Sequence, residues 1–247
     1  MSSPARIRLA TLVVLAIVWE IFGQTRFVFG EALPPISAVA VAAAREIASV
    51  SFYAHLGVTA GEVAGGFAFG VLPGVATGLL LGARRVLGAA ADPYIAALAT
   101  TPKIVFLPIV MLLVGVGPGS KVALGALSAF FPVVIATAAG MRAMPPVFVR
   151  VGRAFNLRSG QMVRMIYLPA LALPIVTGLR LGLGVCIVGV LLGELKLASA
   201  GLGFLARDYY DQYDFASLYA VVAIVFALAS LANGAMSRLA RRAEAHR

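Results

Sequence analysis

"GRAFNLRSGQMVRMIYLPAL" occupies Gly152–Leu171. It holds three arginines and no acid, and long apolar runs flank it on both sides. That contrast decides the class of the fold. The whole chain has 247 residues, 61% hydrophobic and only 12% charged, with a mean hydropathy of +0.98. A soluble domain is about half apolar and about a quarter charged. A chain this apolar needs the bilayer as its solvent, and the basic stretch is an interruption at the membrane surface. The net charge of +10 could suit nucleic acid, but the arginines sit in short clusters between apolar runs. That pattern orients a membrane protein and leaves no role for nucleic acid. The one cysteine, Cys186, cannot form an intrachain disulfide, so the redox compartment is unreadable.

A spanning helix needs about 20 apolar residues. Six runs qualify: about 8–25, 56–81, 92–115, 120–141, 170–193 and 214–237. They are continuous and rich in Ala, Leu and Gly, unlike the short alternating strands of a barrel. The expected fold is an all-α membrane protein with six transmembrane helices, read as one domain over 1–247. The first run follows Arg6 and Arg8 as a signal peptide would. However, Trp19, Glu20, Ile21 and Phe22 follow it instead of small residues, which predicts an uncleaved span.

With six spans both termini share a side. Thirteen basic residues fall on that side: Arg6, Arg8, Arg84, Arg85, Arg142, Arg150, Arg153, Arg158, Arg164, Arg238, Arg241, Arg242 and Arg247. Five fall opposite: Arg26, Arg45, Lys121, Lys196 and Arg207. The positive-inside rule therefore predicts cytoplasmic termini and a cytoplasmic 142–169 loop between spans four and five.

Within that loop Pro145 and Pro146 suit a helix start. Val147, Phe148, Val151 and Phe155 then share one face at helical spacing, with Arg150 and Arg153 turned elsewhere. Asn156 suits a stop, because Asn tolerates left-handed backbone. Ser159 is the expected cap of a second short helix carrying Met162, Val163 and Ile166, and Pro169 opens span five. The bracket either folds against the chain's own spans and lipid or docks a cytoplasmic partner.

Lys103 and Arg180 lie within spans. Each costs about 2.5–3.5 kcal/mol at the bilayer centre, so each should face protein or water. They are possible pore charges for an anionic substrate, or they pair internally with groups such as Glu20 or Glu62. Gly66, Gly70, Gly74, Gly78 and Gly82 recur every fourth residue, preceded by Gly61 and Gly65. Gly178/Gly182 and Gly189/Gly193 repeat the spacing. Such seams let helix backbones approach closely. Pro73, Pro102 and Pro108 interrupt spans two and three. The 37–50 segment is amphipathic and suits the outer surface. His55 and His246 cannot build a metal cluster. Asp208, Asp211 and Asp214, interleaved with tyrosines, form an outer loop that either stays solvated, docks a partner or binds an ion.

The loop resembles that of ABC importer permeases of the binding-protein-dependent type. Their loop reads Glu-Ala-Ala, three residues, Gly, nine residues, Ile, one residue, Leu-Pro. Ile166, Leu168 and Pro169 match its end. Asn156 stands at the Gly, and Arg150, Val151 and Gly152 stand at Glu-Ala-Ala, so the start departs from the pattern. "LPPISAV" (33–39), "TPKIVFLPIVMLLVGVGPGSKV" (101–122), "TGLRLGLG" (177–184) and "GELKLASAGLGFL" (193–205) resemble the sulfonate, taurine and nitrate branch.

The resemblance implies a non-enzymatic permease subunit in the cell's inner membrane. It implies a homodimer joined by two cytoplasmic ATPase subunits and an external substrate-binding protein, with membrane lipid around it. ATP would bind the partner, since "GVGPGSK" (115–121) departs from a phosphate loop and no cofactor is expected on this chain. The ATPase-docking loop would be Arg150, Val151, Gly152, Arg153, Ala154, Phe155, Asn156, Leu157, Arg158 and Ser159. Phe155 and Leu157 would be apolar anchors. A self-sufficient carrier or channel is the alternative, and a membrane enzyme lacks a nucleophile or metal set.

Overall fold

In the computed structural model, residues 3–25 and 30–245 are described. Arg26, His246 and Arg247 lie outside them. Among the described residues helices predominate and no strand occurs. The helices are α1 (Ser3–Thr25), α2 (Ile36–Ala48), α3 (Val50–Ala83), α4 (Arg85–Thr100), α5 (Leu107–Val114) and α6 (Pro118–Ala143). There follow α7 (Pro146–Ala154), α8 (Ser159–Met162), α9 (Leu168–Ala170), α10 (Ala172–Leu197), α11 (Leu202–Asp211) and α12 (Phe215–Ala245).

Among the described residues four helices, α3, α6, α10 and α12, are long and apolar enough to cross a membrane. The predicted third span is broken. α4 and the Lys103–Val114 segment meet at 93°, and counting them as one bent span makes five. Proline explains the break: Thr101, before Pro102, adopts extended backbone with ψ 128°, as pre-proline sterics require. Pro108 sits harmlessly in the first turn of α5, whereas Pro73 is absorbed inside an unbroken α3. The predicted first span falls on the helix α1, which is not among those four or five; its Ile7, Leu12, Val14 and Ile21 are exposed.

The described chain divides into two compact units, 1–58 with 199–228 and 59–198 with 229–247. In the first, the Glu20 carboxylate accepts from the Ser37 backbone N–H at 3.1 Å and from its hydroxyl at 2.8 Å. An acid thus serves the first turn of α2, where orphan N–H groups and the helix dipole favour one. Trp19 Nε1 donates to Pro34 O at 3.0 Å and its ring meets Tyr219 edge-on. Val39, Ala42 and Ala220 form the small core.

In the second unit α6 is the hub. On one side Gly66, Gly70, Gly74, Gly78 and Gly82 of α3 bring backbone against backbone. A Cβ on Gly70 would stand 2.5 Å from Ala126 O, and one on Gly78 2.6 Å from Thr137 Cβ. On the other side Gly178 and Gly182 of α10 approach Val133 and Ala136, while Gly189 and Gly193 approach Ser128 and Lys121. Gly61 faces open space, so the seam starts later than the repeat suggests. Leu124, Ala129, Val133, Val134, Cys186 and Val190 fill the buried centre.

Candidate functional site

The loop between α6 and α10 folds as the helix–turn–helix expected. α7 starts on Pro146, ends at Ala154, and is followed by Asn156 at φ 51°. The cap differs from expectation. Arg158, not Ser159, is the N-cap residue of α8, and its N–H donates to Gln161 Oε1 at 2.9 Å. α8 runs into a π-helical turn over Val163–Tyr167, so Leu168 N–H reaches back to Val163 O. Pro169 has no N–H to give, and a local shift to wider bonding accommodates that loss before a spanning helix begins. Span five itself begins at Ala172, three residues past Pro169.

α7 presents three faces. Gly152 is buried because a Cβ there would strike Met162 of α8, so the family-pattern alanine would not fit without moving that side chain. Phe148, Ile166 and Pro169 line an apolar cavity of about 670 Å³ with Gly140, Leu171 and Pro174. The loop-end motif therefore braces α7 from below. Val147, Val151 and Phe155 stay exposed, Phe155 at 76%, and Leu157 is half-buried. Ala154, Arg158 and Ser159 are exposed beside them. Arg150 and Arg153 turn to a different concavity, bounded by α3, α4 and α6.

The two in-span charges have separate settings. Lys103 Nζ donates to Leu98 O (2.6 Å), Ala99 O (3.0 Å) and Thr101 O (2.7 Å). Its three N–H groups are matched by three carbonyls at the C-terminal end of α4, where a cation also suits the helix dipole. The ammonium lies 5.0 Å from the Phe131 ring centre, beside a cavity of about 270 Å³. Arg180 is exposed on α10, and its Nε donates to Asn233 Oδ1 of α12 at 3.3 Å. Neither cation pairs with Glu20 or Glu62 among the described bonds.

A buried polar cluster escaped the sequence reading. Glu194 is 0% exposed, Lys121 4%, Glu62 5% and Thr59 6%. Thr59 Oγ1 donates to Glu194 Oε1 at 2.7 Å, and the Glu62 carboxyl lies beside that of Glu194. Lys121 Nζ donates to Val116 O and Gly117 O. Lys121 opens one expected apolar run and Glu194 follows another, which suits charges at the membrane surface and gives no hint of burial. Thr59 and Glu62, one turn apart inside such a run, were the available signal. In the other unit, the Tyr209 hydroxyl donates to Glu46. Burial and that carboxylate push the phenol above its ordinary range. Gly201 N–H donates to His55 Nδ1, and His55 stacks on Phe204. The three aspartates diverge: Asp208 to Gln212, Asp211 to Arg207, Asp214 to the Ser217 N–H.

Residues 70–245 match the family described as "Binding-protein-dependent transport system inner membrane component". SsuC of Bacillus subtilis (strain 168), which carries the name of an aliphatic sulfonates transport permease protein, is 29% identical over 93% of this chain and 83% of its own. The taurine transport system permease protein TauC of Escherichia coli (strain K12) is 26% identical over 98% and 90%. A chain of the MetNI methionine ABC transporter, in inward-facing conformations, superposes with a TM-score of 0.67 at 19% identity, over 77% of this chain and 96% of that one.

Proposed function

The chain belongs to the binding-protein-dependent transport system inner membrane component family, and from that premise we propose that it docks a separate ATPase through α7. It is a multi-pass membrane permease of the ABC importer type. The observation that carries the docking proposal is the face formed by Val147, Val151 and Phe155, apolar and exposed on a helix that is braced from behind by Met162 and Ile166. Exposed aromatic anchors on a rigid helix are what a groove on a partner can use. Arg158, beyond the Asn156 turn, is exposed and would meet acids at the rim.

Six spans, with both termini and the 142–169 loop in the cytoplasm, follow if α1 crosses the membrane and the bent α4–α5 pair counts as one span. The exposure of Arg180 supports a homodimer. It lies about 12 Å into α10 at the helical rise per residue, exposed on one chain, and lipid is a poor neighbour for it. Thr177, Leu181 and Val188 continue that open stripe. A second copy, or water in a pore between copies, would cover it. The cargo we favour is a small anion of the sulfonate or nitrate kind, delivered by an external binding protein; Arg180 is the open charge that would attract it. Lys103, committed to three carbonyls, serves the bend.

Co-expression with the cognate ATPase tests the docking. Phe155→Ala should release the ATPase during purification, with loss on the order of 2 kcal/mol for a buried anchor, and Arg158→Ala should release less. Both should insert normally. Full ATPase retention and full transport by Phe155→Ala would refute the docking, and uptake driven without any ATPase would favour a carrier.

A further inference from the structure

The concavity on the other flank of α7 has a chemistry of its own. It encloses about 730 Å³ where α3 and α6 end, at Gly82, Ala83, Met141 and Arg142. Four arginines line it: Arg85 at the start of α4, Arg142 at the end of α6, and Arg150 and Arg153 on α7. One acid, Asp92, lines it too. Both of its oxygens are taken by Arg142, at 2.8 and 2.7 Å. Among the described residues, Arg85, Arg150 and Arg153 form no ion pair.

Three like charges facing one cavity repel each other unless an anion sits among them, and guanidinium groups match oxyanions with directional, charge-assisted bonds. The cavity opens where two apolar spanning helices end, which is headgroup depth in a bilayer. Basic pockets between spans at that depth suit phospholipid phosphates. The rim is apolar where Ala89, Met144, Pro146 and Val149 line the same concavity. A free oxyanion would leave that rim idle, whereas acyl chains would cover it. A partner's acids would reach the arginines but not use the rim.

We propose that this concavity holds the phosphate of an anionic phospholipid, gripped by Arg85, Arg150 and Arg153. The lipid then ties α7 to the membrane surface, and the arginine at position 150, where the family pattern has glutamate, becomes part of a lipid site. The proposal is separate from the ATPase contact, which uses Val147, Val151 and Phe155 of α7.

The test is lipid retention by the purified full-length chain in detergent, read by native mass spectrometry after addition of phosphatidylglycerol or phosphatidylcholine. Phosphatidylglycerol should be retained over phosphatidylcholine. Arg150→Gln should weaken its retention about five-fold, and the Arg85/Arg150/Arg153→Gln triple variant should bring it to the phosphatidylcholine level. Arg164→Gln, an exposed arginine outside the cavity, should change nothing. Phe155→Ala should keep full lipid retention even where it loses the ATPase, which separates this proposal from the docking. Equal retention of the two lipids by the parent chain would overturn it. So would complete displacement of phosphatidylglycerol by millimolar inorganic phosphate, which would make the site one for a free oxyanion. A triple variant that keeps its lipid but loses the ATPase in phosphatidylcholine nanodiscs would assign the arginines to the partner instead.

Discussion

Replacing Gly70 by alanine adds one methyl group to the middle of α3. The nearest atoms to it are rigid ones: Ala126 O at 2.5 Å, Ala129 Cβ at 2.9 Å and Ala126 Cα at 3.1 Å. Real Cβ contacts do not fall below 3.0 Å, so α3 and α6 must part by at least 0.5 Å locally. α6 cannot yield freely, because Gly178 and Gly182 of α10 press on it from the other side. Overpacking of this sort costs about 1–3 kcal/mol. Alanine also improves helix propensity over glycine by about 1 kcal/mol. Gly61→Ala supplies the matched control, since nothing lies within 4 Å of its added methyl. The propensity gain is common to both variants, so their difference isolates the overpacking, about 1–3 kcal/mol. Titration of the detergent-solubilised chain with SDS in mixed micelles reads both stabilities. Gly70→Ala should unfold earlier than the parent or close to it, and Gly61→Ala later. Should the two variants agree within about 0.5 kcal/mol, the idea that the glycine seam sets the α3–α6 distance is wrong.

Lys103→Gln removes a cation from three carbonyls, and we expect lower yield of folded chain instead of a selective loss of uptake; normal folding with weakened anion transport would return Lys103 to the pore. Tyr209→Phe leaves the mostly buried Glu46 carboxylate without its hydroxyl donor and should cost about 1–3 kcal/mol in the same SDS titration. No loss would mean that water replaces the hydroxyl there. An engineered cysteine at Ser159, exposed in the loop, should resist an impermeant thiol reagent in intact cells, while one at Ser199 should react. Cys186 is fully buried and should add no background, and reversed labelling would overturn the orientation.

Much of the loop was legible before any fold was known. Pro146 opens α7, Asn156 closes it in left-handed backbone, and the break in the third span falls at Pro102. These are local effects, written in φ restrictions and missing N–H groups, and they need no distant partner. The same holds for the class itself: a chain with 61% hydrophobic residues and clustered arginines belongs in a bilayer whatever its tertiary contacts.

Other features depend on which helix lies across the way. The four-residue glycine period predicts a seam, yet Gly61 and Gly66 differ only in whether α6 is opposite. Lys121 and Glu194 look like loop charges at the ends of apolar runs, and only the meeting of α3, α6 and α10 buries them together. Lys103 reads as a pore charge until the 93° bend brings three carbonyls to its ammonium. The helical spacing of Arg150 and Arg153 separates them from the apolar stripe of α7, but nothing in that spacing names Arg85 and Arg142 as neighbours across a cavity. Composition and proline sterics act along the chain, so the sequence by itself determined the solvent and the local turns. Burial and charge neighbourhoods are set by the angles at which helices far apart in the chain cross, and those the tertiary structure alone decided.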